Sequence, residues 1–276
     1  MSVKNFSTDK KAIRFRKKHK IGLCLSGGGT RGLAYIGVFK AFEEYGITFD
    51  AVAGTSIGSL FAALYACGMS SEDMRSCASK AKNSDFRKAK LGFLPSSMAR
   101  LNEKLNQILP IKQIENLKME YYAVAVDLRT GKEIHFNEGD LPTIITGSCA
   151  IPGVFLPVKY KDMVLIDGGV RNNIPVDVLR QNGCDIVITV DCNSTRGGGT
   201  DSNNIITQFI TSVGIMMVNN SIAGLKNSDL IIKPNMRRFN SLKLFRKNDM
   251  INEGYRATIS MMQEIENILI GKLRKR

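Results

Sequence analysis

Along this chain, short unbroken apolar runs alternate with longer stretches whose apolar residues recur at helical spacing. Residues 21–27 (IGLCLSG) form an apolar run ending in glycines, the pattern of a buried parallel strand. Residues 30–46 (TRGLAYIGVFKAFEEYG) carry helical spacing and stop at Gly46, a suitable C-terminal cap. Residues 49–54 (FDAVAG) repeat the strand pattern, and residues 56–68 (SIGSLFAALYACG) repeat the helix, stopping at Gly68. Strand, turn and helix twice over predict a doubly wound α/β domain with a mostly parallel central sheet flanked by helices. Ser70 to Asp73 reads as a capping box that opens a polar helix to about residue 83. Residues 121–136 read as a hairpin through Thr130-Gly131. Residues 164–169 (VLIDGG), 185–192 and 229–234 read as further buried strands, 203–224 and 248–271 as helices, and 196–200 (RGGGT) as a flexible loop. No repeat or linker divides residues 21–276, which are expected to form one domain behind a basic arm at residues 1–20.

Composition narrows the class. With 276 residues and 43% hydrophobic content, the chain can bury a substantial core and is not a disordered sequence. No apolar run is long enough to span a bilayer, and the N-terminus lacks the apolar stretch of a secretory leader. A cytoplasmic location is expected. Cys24, Cys67, Cys77, Cys149, Cys184 and Cys192 form no C-x-x-C pair, so they read as reduced, buried thiols. His19 and His135 lie near no paired cysteines, and no metal is expected. The net charge of +14 is concentrated. Residues 1–20 carry eight Lys/Arg against Asp9 alone, residues 233–247 carry six with no acid, and residues 272–276 carry four. Such patches suit an anionic membrane surface or nucleic acid, and equally serve solubility.

Candidate chemistry sits at the corner after the second strand. Gly54-Thr55-Ser56-Ile57-Gly58 joins a strand directly to a helix. A serine there is either the N-cap of an ordinary turn or a nucleophile exposed by a strained one. The second reading explains the small residues Gly54 and Gly58 on either side, and the helix dipole favours negative charge at Ser56. A Ser–His–Asp triad is hard to build, since no histidine follows His135. Residues 26–32 (SGGGTRG) join the first strand to the first helix and offer backbone N–H groups, as an oxyanion site or as a cradle for a nucleotide pyrophosphate. The nucleotide reading wants an acid about 20 residues on. Asp50 is the nearest candidate, and it precedes its strand.

Taken in order, GGGTRG (27–32), GTSIG (54–58) and DGG (167–169), with SCAIPGVFLPV (148–158) ahead of the aspartate, resemble the patatin-like phospholipase family over roughly residues 21–192. The resemblance implies a three-layer α/β/α fold. It implies a Ser–Asp dyad, with Ser56 the nucleophile and Asp167 the proton acceptor. Gly27, Gly28 and Gly29 would supply oxyanion N–H groups, and Thr30, Arg31 and Gly32 complete the loop, Arg31 falling where the family carries a basic residue. Gly168 and Gly169 would turn the chain after the base. The implied reaction is hydrolysis of lipid carboxylic esters through an acyl-serine, with no cofactor. Residues 86–100 and 236–248 mix basic and apolar residues and suit a lid or peripheral contact with an anionic membrane, at its inner face for a cytoplasmic protein. Nucleic acid is not the expected partner. Residues 205–220 read as core. The competing reading is a non-catalytic protein whose Gly-rich loop holds a nucleotide or phosphate and whose basic arms bind nucleic acid.

Overall fold

A computed structural model of the chain describes residues 19–82, 95–193 and 205–271. The basic arm up to residue 18, the first part of the 86–100 stretch, the RGGGT loop and the basic tail lie outside the described residues.

The apolar runs form an eight-stranded sheet. Five strands are parallel and lie in the order β3 (Glu120–Asp127), β2 (Ala51–Thr55), β1 (Ile21–Leu25), β7 (Ile186–Val190) and β8 (Leu230–Ile232). β4 (Glu133–Phe136) and β6 (Met163–Asp167) pair antiparallel with β3, and β5 (Val158–Tyr160) pairs with β6. The hairpin through Thr130-Gly131 is thus present as β3–β4.

One detail of register governs the rest. Val124 of β3 pairs with Thr55 on one edge and with His135 on the other. The next residue, Ala125, pairs with Asp167 and with Ile134. A residue can pair with only one strand per edge, so β2 and β6 share one edge of β3. They run toward each other and meet end to end at Thr55 and Asp167.

Helices cover both faces, among them α4 (Ala99–Ile108) and α5 (Leu141–Ser148), which pack on each other. Ile21, Leu23 and Leu25 of β1 enter the larger core, with α1 (Ala34–Glu44), α2 (Ile57–Ala66) and α9 (Lys247–Ser260), while Cys24 enters the smaller core with α6 (Val176–Gln181). This alternation produces the three layers. Each fully buried side chain such as Phe39, Phe42 or Ile36 contributes roughly 1.5–3 kcal/mol. Gly46 and Gly68 close α1 and α2 with positive φ, as cap glycines do. α3 (Ser71–Lys80) opens with both hydrogen bonds of the Ser70–Asp73 capping box.

The long helical predictions break where side chains pull the backbone elsewhere. Residues 30–46 begin as a 3-10 turn, Gly29–Leu33, because the Thr30 N–H and hydroxyl bond to the 240–243 segment instead of serving a first helical turn. Residues 203–224 divide into α7 (Ile205–Asn219) and α8 (Ile222–Asn227) at Asn220, whose amide donates to the Val170 carbonyl at 2.6 Å. Residues 248–271 divide into α9 and α10 (Met262–Leu269) at Met261. The expectation that residues 205–220 are core is corrected: Val213 and Met217 are buried, but Ile205, Phe209, Ile215 and Met216 are exposed. Among the described residues, Val213, Gly214 and Met217 form the buried face of α7, which packs against the 3-10 turn Gly168–Val170.

Candidate active site

Ser56 lies between the end of β2 and the first turn of α2, with φ 54° and ψ −129°. A non-glycine residue seldom adopts positive φ, so the turn is strained. The flanking glycines have contact reasons. A Cβ on Gly54 would strike the Gly58 carbonyl, and one on Gly58 would strike the carbonyls of Leu25 and Ser26. The start of α2 therefore lies directly on the ends of β1 and β2. Ser148 holds the turn from the side, accepting the Ser56 N–H at 2.9 Å and donating its own hydroxyl to the Val124 carbonyl at 2.6 Å. Ser59 donates to the Ser56 carbonyl at 2.7 Å.

Asp167 arrives from the opposite direction at the end of β6. A buried strand was expected to carry it to the sheet edge, and it does so as an antiparallel strand whose end abuts β2. Gly168 follows because a Cβ there would strike the Val124 carbonyl. The carboxyl is fully buried, and its Oδ1 accepts the Gly169 N–H at 2.8 Å. Its Oδ2 has no hydrogen-bond partner among the described residues. Burial raises the Asp167 pKa to about 7, and the neighbouring Ser56 hydroxyl and the Gly169 N–H offset part of that rise. A carboxyl poised near neutrality, beside a serine, is a proton acceptor of useful strength.

The Gly-rich loop lies against the same spot. The expected set of oxyanion donors is corrected in one respect: the Gly27 N–H donates to the Asn173 carbonyl at 3.1 Å and is taken. The Thr30 N–H is likewise taken, by the Ser241 carbonyl at 2.9 Å. No hydrogen bond among the described residues occupies the N–H of Gly28 or Gly29. Arg31 is buried, with its Nε donating to the Phe239 carbonyl at 3.0 Å. Gly32 is needed because its Cα faces the Ile57 side chain. Asp50, the acid a nucleotide cradle would require, accepts the Ile21 N–H at 2.8 Å, at the sheet edge opposite the loop. The pyrophosphate reading loses its ribose ligand.

Ser56 is only 3% exposed, so the expected exposure on the protein surface is absent. It opens instead into an apolar cavity of about 150 Å³. Leu60, Phe61, Met98, Leu105, Phe155 and Leu242 are among its walls, and Lys104 is its charged wall residue. Cys149 also borders the cavity, and burial pushes its thiol well above the ordinary range, leaving it protonated. All six cysteines are free, five of them buried.

The basic segment at 236–248 is a strap over the Gly-rich loop. Met236 and Phe239 are buried, and the carbonyls of Asn240 and Lys243 accept the Thr30 hydroxyl at 2.7 and 3.2 Å. Part of its charge is structural. Arg238 pairs with Glu253 at 2.9 Å, Arg246 pairs with Asp249 at 2.6 Å, and Lys247 caps the last carbonyls of α3. Leu242 and Phe245 remain exposed on it.

Among the described residues, Glu133, His135 and Asp177 bring metal-type ligand atoms within 4.8 Å of one another. Their partners are already in place. His135 bonds to Glu133 at 2.6 Å, and the Asn172 amide donates to Glu133 and Asp177 at 2.9 Å each. No helix among the described residues is long and apolar enough to cross a membrane.

The structure brings Ser56, Asp167, Gly28 and Gly29 into one neighbourhood, and adds Ser148, which clamps the Ser56 turn, and Asn173, which lies close to Ser56 and Asp167. Nothing in the sequence around Ser148 or Asn173 signals these contacts.

The family model described as patatin-like phospholipase matches residues 23–180. An uncharacterised NTE family protein of Mycobacterium tuberculosis is 31% identical over 189 residues, covering 67% of this chain and 52% of that protein. Patatin-like phospholipase domain-containing protein 6 of Mus musculus is 34% identical over 188 residues, covering 63% of this chain and 14% of that protein. The chain thus aligns with about half the length of the mycobacterial relative and a small part of the mouse one. The solved structure of VipD from Legionella pneumophila superposes with a TM-score of 0.53, covering 90% of this chain and 67% of that one at 16% identity, and it shares the fold.

Proposed function

The chain belongs to the patatin-like phospholipase family, and on that premise we propose that it is a serine acyl hydrolase cleaving carboxylic esters of lipids. One observation carries the proposal: a serine on a strained turn opens into an apolar cavity, with a buried aspartate of raised pKa beside it. An acyl chain enters the cavity and brings its ester carbonyl to Ser56. The Ser56 Oγ attacks the carbonyl carbon while its proton passes to Asp167 Oδ2. The N–H groups of Gly28 and Gly29 hold the oxyanion, each worth on the order of a hundredfold in rate. The N-terminus of α2 adds its dipole at the same point. The alcohol leaves with the proton from Asp167, and water then releases the fatty acid. Ser56 and Asp167 carry every proton transfer in this route. The basic surface and the exposed Leu242 and Phe245 give the protein peripheral contact with an anionic membrane, the phase that holds its substrate.

The test is fatty-acid release from mixed phospholipid vesicles by wild type, Ser56→Ala and Asp167→Asn, with circular dichroism as the check of folding. Loss of release in both variants, each folded, is the expected result. Equal release by all three proteins overturns the proposal.

A further inference from the structure

Asn173 meets the site in a way the dyad does not require. The 3-10 turn Gly168–Val170 brings the chain back beneath the end of β1, where the Asn173 carbonyl takes the Gly27 N–H. Its side-chain amide is anchored at Ser221: Nδ2 donates to the Ser221 Oγ at 2.9 Å, and that hydroxyl lies 3.3 Å from the Met217 carbonyl, to which it donates. With Nδ2 so placed, Oδ1 faces the other way.

That oxygen occupies the space beside two glycines. A Cβ on Gly27 would collide with Asn173 Oδ1 and lie 3.4 Å from the Ser56 Cβ. A Cβ on Gly169 would lie 2.9 Å from Asn173 Oδ1 and 3.1 Å from Asp167 Oδ1. Asn173 Oδ1 thus lies close to Ser56 on one side and to the Asp167 carboxyl on the other. Asn173 and Asp167 are both fully buried. Asn173 Oδ1 and Asp167 Oδ2 are the two buried side-chain polar atoms without a hydrogen-bond partner among the described residues. An unpaired buried acceptor is costly, and two of them on neighbours of Ser56 call for a guest with two donors. An ester has no donor and a leaving alcohol has one. Water has two.

We infer that Asn173 is the second anchor of the hydrolytic water, a role that rests on the acyl-hydrolase reading above. One water hydrogen lies on Asp167 Oδ2 and the other on Asn173 Oδ1, which turns a lone pair of the oxygen toward the acyl carbon of Ser56. The water oxygen forms a bond to that carbon as its first proton passes to Asp167, while the second hydrogen stays on that oxygen, hydrogen-bonded to Asn173, and becomes the acid's hydroxyl hydrogen. The tetrahedral intermediate collapses, the bond between the acyl carbon and Ser56 Oγ breaks, and Asp167 returns the proton to Oγ. A free fatty acid and the resting serine result. Asn173 serves this half-reaction alone, because acylation uses the serine's own proton.

The discriminating measurement is rapid-mixing kinetics with p-nitrophenyl butyrate, together with intact-mass detection of acyl-Ser56. Asn173→Ala is expected to form acyl-enzyme at the wild-type rate and then turn over at least about tenfold more slowly, with the acyl mass accumulating. Added hydroxylamine, a nucleophile that needs no positioned water, restores turnover. Equal losses in acylation and deacylation, or no change in either for a folded variant, overturn the role. If Asn173→Ala fails to fold, Ser221→Ala decides, since it keeps Oδ1 but unmoors the amide: acyl accumulation supports the role, and wild-type turnover overturns it. A wild type that neither releases p-nitrophenol nor acquires the acyl mass fails at the earlier step and removes the hydrolase reading itself.

Discussion

Asp167 owes its basicity to its surroundings rather than to its chemistry. An ordinary carboxylate near 3.9 would leave a serine proton where it is, whereas burial lifts this one to about 7. The sign follows directly: the neutral form dominates below that value and cannot accept a proton, so activity falls as pH falls through it. We expect kcat/KM for a soluble ester to be half-maximal near pH 7 and to drop about tenfold per unit below it. A profile that stays flat down to about pH 5 would instead indicate an ordinary carboxylate as the base. The residues legible in the sequence are those whose demands are local. Ser56 with Gly54 and Gly58, and Asp167 with Gly168, advertise tight turns within five consecutive positions. Ser148 and Asn173 act on partners 92 and 48 residues away, and nothing in their own neighbourhoods signals that.

At the scale of elements, the strands of the parallel core and the helices between them follow from apolar spacing, whereas the helices Ala99–Ile108 and Leu141–Ser148 were not expected and other departures came from distant contacts. β6 is identifiable as a strand from its run of Val164, Leu165 and Ile166, but its direction depends on which edge of β3 remains beyond Thr55. The glycines inside α1 and α9 carry a message the helical pattern concealed. A Cβ on Gly37 would strike the Ile251 carbonyl, and one on Gly254 would strike the Ala34 carbonyl, so the two helices approach backbone to backbone. Gly254→Ala is expected to destabilise the fold by about 1–3 kcal/mol, although alanine is the better helix former. Chemical denaturation measures it, and a variant as stable as wild type would mean that the helices separate without cost.

Over the whole molecule, the net charge of +14 is only partly neutralised by internal partners. Within the strap it is spent partly on Glu253, Asp249 and the end of α3. The remainder, next to the exposed Phe245, predicts binding to anionic vesicles that weakens steeply between about 0.1 and 0.5 M salt. Co-sedimentation checks it, and binding indifferent to salt or equal on neutral vesicles would remove the electrostatic attraction. The end-to-end meeting of β2 and β6 has a further consequence, for biosynthesis. Ser56 leaves the ribosome more than a hundred residues ahead of Asp167, and the strand end that completes the pair has no place to dock until β3 has formed. A nascent chain therefore carries Ser56 without Asp167 beside it. Under the proposed function, a chain assembled in this order cannot attack nearby lipid until its final architecture closes.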